Sequence, residues 1–178
     1  MPIPVRSAET QIERRKIVAI VGGHSHNTTD EAMDLAEQVG FFVAQAGFIV
    51  ATGGFDGIME AALRGAKRAG GTTMAILKGN NKDSANPYAD ICIVTSLDLA
   101  FIHVLVWTAD VVIAFEGNYG TLTEIALALE IRRPLAMLGN TRHLDTTTIT
   151  SDAYLSLPDM TASNQAKLVA YFKRHALL

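Results

Sequence analysis

From Lys16 onward the chain alternates between two textures. Short runs of Val, Ile and Ala close on glycine, and longer stretches follow with apolar residues at helical spacing. Ile17-Val18-Ala19-Ile20-Val21 is apolar at every position and stops at Gly22-Gly23. That is the pattern of a strand covered on both faces. Thr28 and Glu31 have capping-box spacing, and Ala32, Leu35, Ala36, Val39, Val43 and Ala46 then form an apolar stripe that ends at Gly47. The plan repeats with a strand over 48–51, a Gly53-Gly54 stop and a helix from about Gly57 to Arg68. A third strand is expected over 72–77, a polar surface loop over 79–88 and a fourth strand over 91–94. The stretch 99–107 is apolar almost all round and reads as a helix buried on more than one side. Strands over 111–115 and 135–138 bracket a helix over 122–131. Residues 141–162 are rich in Thr, Asp and Ser and read as irregular, and a last helix is expected over 165–178.

Strands alternating with helices of this length imply βαβ units. The expected fold class is α/β: a Rossmann-like three-layer sandwich. Its mostly parallel sheet has about six to seven strands, with helices on both faces. Residues 1–15 read as a flexible arm and 16–178 as one domain. Ligands on such sheets bind beyond the carboxyl ends of the strands, so the loops that follow the strands are the place to look for chemistry.

Composition narrows the function classes. Of 178 residues, 49% are hydrophobic and only 19% charged, which excludes a disordered or nucleic-acid-coating chain. Fifteen Lys and Arg against eighteen Asp and Glu give a net charge of −3, so no basic face is expected and nucleic acid is not an expected partner. A single cysteine, Cys92, leaves no internal disulfide and no cysteine-built zinc site. No apolar run reaches the roughly 20 residues of a membrane span, and no secretory signal pattern opens the chain. The expectation is a cytoplasmic protein with no membrane partner. Its scarcity of charge suggests apolar surface covered in a homodimer or homotetramer.

Three loops carry candidate chemistry. In the first, Gly22, Gly23 and His24 follow a buried strand and open a helix, an end attractive to phosphate. The third glycine of a dinucleotide fingerprint is missing. His24 and His26 lack an evident third ligand, so no metal is assigned, and the competing reading is a solvated loop. In the second loop, Gly53, Gly54 and Gly57 permit close approach of backbone to a ligand, or simply tight packing in the turn. Glu60 and Arg64 stand i, i+4 and can pair. In the third, Gly117, Asn118, Gly120 and Thr121 precede a helix. Thr121 and Glu124 have capping-box spacing, a full structural explanation in itself. Alternatively Gly120 and Thr121 bind phosphate and Glu124 serves as an acid, base or charge stabiliser. Three such strand ends in one sheet point to a small phosphorylated ligand, most economically a mononucleotide. Neither a Walker loop nor a Gly-x-Ser-x-Gly elbow is present.

The run 53–62, the pairs Gly65-Ala66 and Gly70-Gly71, and the run 117–124 together resemble the LOG-like (SLOG) Rossmann-fold superfamily. Within it the chain is similar to a short bacterial branch akin to molybdenum-cofactor carriers. The resemblance covers roughly residues 16–140. It implies a Rossmann-like fold, a homo-oligomer and a site for a nucleotide or phosphorylated cofactor, with an AMP-like nucleotide or the molybdenum cofactor as candidate ligands and no cofactor required. Members with phosphoribohydrolase activity carry Pro-Gly-Gly-x-Gly-Thr-x-x-Glu, where this chain has Glu116, Gly117 and Asn118 in the first three positions. Their catalytic Arg falls at Phe101, whose ring is either core or a stacking surface for a base or pterin. The nearest polar residue is His103. Glu124 is retained without that cation, and losing it removes an electrostatic contribution of about a few kcal/mol. The expectation is a nucleotide- or phospho-cofactor-binding protein with weak or no catalysis. The alternative is a nucleoside 5′-monophosphate phosphoribohydrolase using Glu124. The "lysine decarboxylase" label sometimes attached to the superfamily has no support in these residues.

Overall fold

The computed structural model describes residues 14–140, 154–175 and 177. Seven strands and five helices follow in the order β1 (Ile17–Val21), α1 (Asp30–Gln45), β2 (Ile49–Thr52), α2 (Ile58–Arg68), β3 (Thr73–Leu77), β4 (Ile91–Val94), α3 (Phe101–Thr108), β5 (Val111–Ala114), α4 (Tyr119–Glu130), β6 (Leu135–Leu138), β7 (Tyr154–Leu157) and α5 (Ala162–Arg174). All seven strands form one parallel sheet in the order β4-β3-β2-β1-β5-β6-β7. The chain winds outward from β1 to the β4 edge, then returns to β5 on the other side of β1. The switch point therefore lies between β1 and β5.

The pleat sorts side chains between two cores. Val18 and Ile20 face a layer built by α1, α2 and α5, where Phe48 and Phe172 meet edge to face. Ala19 and Val21 face the opposite layer, built by α3 and α4. The two layers are unequal. On the first, α1 and α2 are pressed backbone to backbone: a Cβ on Gly40 would lie 2.0 Å from the Ala62 carbonyl oxygen, and one on Gly65 would lie 1.9 Å from that of Glu37. Arg64 and Arg68 both pair with Glu37 across this seam, so the expected Glu60–Arg64 pair is not the one that forms. On the second layer α3 has only eight residues, and apolar side chains are left uncovered. Phe101, Ile102, Leu105 and Val106 are buried, whereas Leu99 is 71% and Trp107 59% exposed. The expectation that this helix is buried on more than one side thus holds for one side only. Ile91 and Ile93 of β4 pair with Met74 and Ile76, point to the same layer, and are also exposed.

Three local expectations are corrected. The N-cap of α1 is Thr29, whose hydroxyl accepts from the Ala32 amide at 3.2 Å; Thr28 instead donates to the His24 carbonyl at 3.1 Å. Residues 154–157, expected to be irregular, form β7. The α4 capping box is not made, because the helix begins two residues before Thr121 at Tyr119. Residues 1–13 of the expected arm, and 141–153 of the expected irregular stretch, lie outside the described residues. Arg15 is anchored through Thr72 at 2.9 Å. Among the described residues no helix is long and apolar enough to cross a membrane.

Candidate functional site

The loop after β1 is stitched to both neighbouring strand ends. The Gly23 amide donates to the Glu116 carbonyl at 2.9 Å, and its own carbonyl accepts from the Ile58 amide at 3.1 Å. These bonds join the β1, β2 and β5 loops at the carboxyl edge of the sheet. Most of the expected phosphate glycines are used up in this stitching. A Cβ on Gly22 would lie 2.6 Å from Ile58, and one on Gly117 would lie 2.2 Å from the Thr121 hydroxyl. Gly53 fits between Met59, Phe55 and Phe101, and Gly54 against Leu77. Gly57, the N-cap of α2, has φ +68°, and a side chain there would meet the Gly23 carbonyl at 2.5 Å. Gly120 is different: nothing lies within 4 Å of where its Cβ would be.

His24 leaves the β1 loop toward the β2 loop. Its Nδ1 is bonded to the Asp56 carboxylate, whose other oxygen accepts from Ser25 at 2.5 Å. The Ser25 hydroxyl holds the Asp56 carboxyl below its ordinary range, partial burial opposes the shift, and His24 reinforces it. With Nδ1 engaged, Nε2 is the remaining polar atom of the ring. His24 stacks with His26 at 5.7 Å and tilts against Phe55 at 5.2 Å. Among the described residues no three His, Cys, Asp or Glu side chains gather as a metal site.

Beyond β5, Glu116 turns toward α1. Its carboxylate accepts from the Thr29 amide at 2.6 Å and from the Thr29 hydroxyl at 3.0 Å. Helix α4 starts at the facing loop with Asn118 as N-cap, but the Asn118 side chain does not cap it. Its first-turn amides, which include that of Gly120, are therefore left without a capping side chain. A cleft of about 660 Å³ lies here, lined by residues that include His26, Thr28, Glu116, Gly117 and Asn118. Thr121 and Glu124 sit one turn apart on the buried side of α4. Burial pushes the Glu124 carboxyl up to about 8. At neutral pH it is therefore largely protonated, a hydrogen-bond donor rather than a carboxylate.

Phe101 is buried, with its ring on Gly53 and edge to face with Phe55 at 6.1 Å. The ring left partly open is Phe55 itself. His103 is exposed on α3. Sequence reasoning missed three residues at this edge: Phe55, Asp56 and Lys78. Lys78 comes directly after β3, and its ammonium lies 5.7 Å from the centre of the Phe55 ring. A cation placed immediately after a buried strand was the available signal.

Comparison with known proteins fits this geometry. The model of the SLOG cluster4 family matches residues 15–168. An uncharacterized protein of Archaeoglobus fulgidus is 39% identical over 109 residues, 61% of this chain and 72% of its own length. The molybdenum cofactor binding protein of the phototrophic bacterium Rippkaea orientalis superposes with a TM-score of 0.79 at 32% identity, over 90% of this chain and 98% of the other. The molybdenum cofactor carrier protein of Chlamydomonas reinhardtii gives 0.79 at 28% identity, over 93% and 100%.

Proposed function

Because this chain belongs to the SLOG cluster4 family, we propose that it binds and holds a small phosphorylated ligand of the molybdenum-cofactor type, with weak or no catalysis. The observation that carries this reading is the start of α4. It opens onto the cleft beside the β1–β5 switch point, no side chain caps it, and Gly120 stands in open space. Amides at such an end favour a phosphate. The likeness to molybdenum cofactor binding and carrier proteins supports a phosphorylated pterin as the ligand. To test it, the purified protein is incubated with molybdenum cofactor released from a molybdoenzyme and passed through a gel-filtration column. Molybdenum and pterin should co-elute with the protein in a fixed ratio. Their complete separation from it would overturn the reading.

A second reading rests on Glu124. A carboxyl held protonated near neutral pH is suited to act as a general acid toward a departing base, as a nucleoside 5′-monophosphate phosphoribohydrolase requires. Incubation with AMP should then release adenine and ribose 5-phosphate, and Glu124→Gln should abolish the release. Wild type that matches the buffer blank would remove this reading.

The proposed assembly is a homodimer or homotetramer in which a second copy covers the α3 side of the sheet. Sheets of this kind have both faces covered, yet Ile91, Ile93, Leu97, Leu99 and Trp107 stand exposed on or beside this layer. The segment 97–108 carries Asp98 as its only Asp, Glu, Lys or Arg, so two copies can meet there without strong charge repulsion.

A further inference from the structure

Six large apolar side chains are exposed among the described residues. Five of them, Ile91, Ile93, Leu97, Leu99 and Trp107, lie on or beside the α3 side, where the proposed second copy covers them. The sixth is Tyr119, 86% exposed, and it stands at the ligand edge as the first residue of α4. Every other Phe and Tyr of the chain is buried or half-buried. The position of the Tyr119 side chain follows from the helix start. In a helix each Cα–Cβ bond leans toward the N-terminus, so the side chain of a first residue projects past the helix end. The unpaired amides of the first turn point the same way. Tyr119 and those amides therefore serve one space, and that space is the cleft of about 660 Å³ that Tyr119 helps to line. Leu122, three residues on and so on the same face of α4, lines the cleft as well. The Tyr119 carbonyl accepts from the Thr123 hydroxyl at 2.8 Å, which ties down the turn that carries the ring. On the β1-loop side, His26 lines the same cleft with its ring stacked on His24 at 5.7 Å. Phe101, the ring that the sequence offered for stacking, is buried against Gly53 instead.

We infer that Tyr119 recognises the heterocycle of the bound ligand: with the phosphate at the first-turn amides of α4, the flat ring of a purine or pterin stacks on the phenol ring in the same cleft. The inference rests on the proposed binding of a phosphorylated molecule at that helix start, and it names what the site reads besides the phosphate. It makes the site selective for phosphate esters that carry a planar ring over sugar phosphates that carry none. Stacking on an aromatic face tolerates different rings, so Tyr119 sets the class of ligand and leaves its identity to other contacts.

The test is calorimetry on the full chain with three probes: AMP, ribose 5-phosphate, which keeps the phosphate and lacks the base, and molybdenum cofactor released from a molybdoenzyme. Wild type should bind the ring-bearing probe that it accepts, AMP or the cofactor, at least about tenfold more tightly than ribose 5-phosphate. Tyr119→Ala should remove most of that difference and leave ribose 5-phosphate unchanged, while Tyr119→Phe retains it. Light scattering of Tyr119→Ala should match wild type; a smaller species would place the ring between copies of the chain and overturn the inference. If wild type binds AMP or the cofactor and Tyr119→Ala binds it equally well, the ring does not hold the heterocycle and only this inference falls. If wild type binds neither AMP nor the cofactor, the binding reading falls as well.

Discussion

Glu116 and Thr29 close the start of helix α1 as a pair. The carboxylate takes both the amide and the hydroxyl of Thr29, and that hydroxyl in turn receives the Ala32 amide. The negative charge that replaces the proline of the hydrolase pattern thus serves the positive end of α1. Glu116→Ala should lower stability by about 1 kcal/mol in urea unfolding, as expected for loss of charge-assisted bonds at a part-exposed cap. Glu116→Gln should lose less. If phosphate binds at the neighbouring start of α4, both variants should bind AMP or the cofactor slightly more tightly.

Glu124 makes stability depend on pH in a defined direction. Its folded carboxyl titrates at about 8, above its ordinary value, so the folded state holds the proton more tightly than the unfolded one. The stability contribution is full below about pH 4.5 and falls as pH rises toward 8. Glu124→Gln mimics the protonated form and removes this loss. The variant should match wild type near pH 4 and exceed it by on the order of a few kcal/mol near pH 8, with the gap level above that. Denaturant unfolding at several pH values reads this directly, and a gap independent of pH would contradict it.

Two glycines should respond in opposite ways. Gly57→Ala puts a Cβ against the Gly23 carbonyl at positive φ, and a loss of about 3 kcal/mol or more is expected. Gly120→Ala meets nothing and sits in the first turn of α4, so it should be neutral or stabilising by up to about 1 kcal/mol. If ligand lies against that turn, Gly120→Ala should nonetheless weaken binding. Thermal unfolding and ligand titration on the same two variants separate packing from recognition.

The proposed assembly has its own test. Ile93→Glu and Trp107→Glu introduce charge into the exposed α3 side without touching a buried residue. Light scattering should give a dimer or tetramer for wild type and a smaller species for the variants. Wild type that is monomeric at micromolar concentration would remove the second copy.

Much of the fold was legible because several of its strands are apolar at every position. β1, β4, β5 and β6 stand out for that reason. β7 did not, since Tyr154-Leu155-Ser156-Leu157 is half polar and follows a long polar stretch. Its place comes from pairing with β6, which no local pattern records. Both capping boxes were misread for a common reason. Spacing identifies residues that could cap, but the chain entering the helix decides which one does. Thr29 lies within reach of Glu116 and takes the α1 position. At α4 the turn begins at Tyr119, which moves Thr121 inside the helix and Glu124 into the protein. The glycine motifs marked the right edge of the sheet, yet they did not separate Gly22 or Gly57, pressed against neighbours, from Gly120, which is open. Lys78 was overlooked because a single lysine has no motif; its meaning comes from standing over Phe55.

The seam between α1 and α2 has a mechanical consequence. With Gly40 and Gly65 letting the two backbones touch, and Glu37 holding both Arg64 and Arg68, these helices behave as one stiff plate. The loops that carry His24 and Asp56 are both anchored to that plate and tied to each other. One cannot be displaced without the other, so that half of the ligand edge is a fixed jaw. On the opposite half α4 packs against α3 without a glycine seam of this kind among the described residues, so the two jaws of the ligand edge are built unequally.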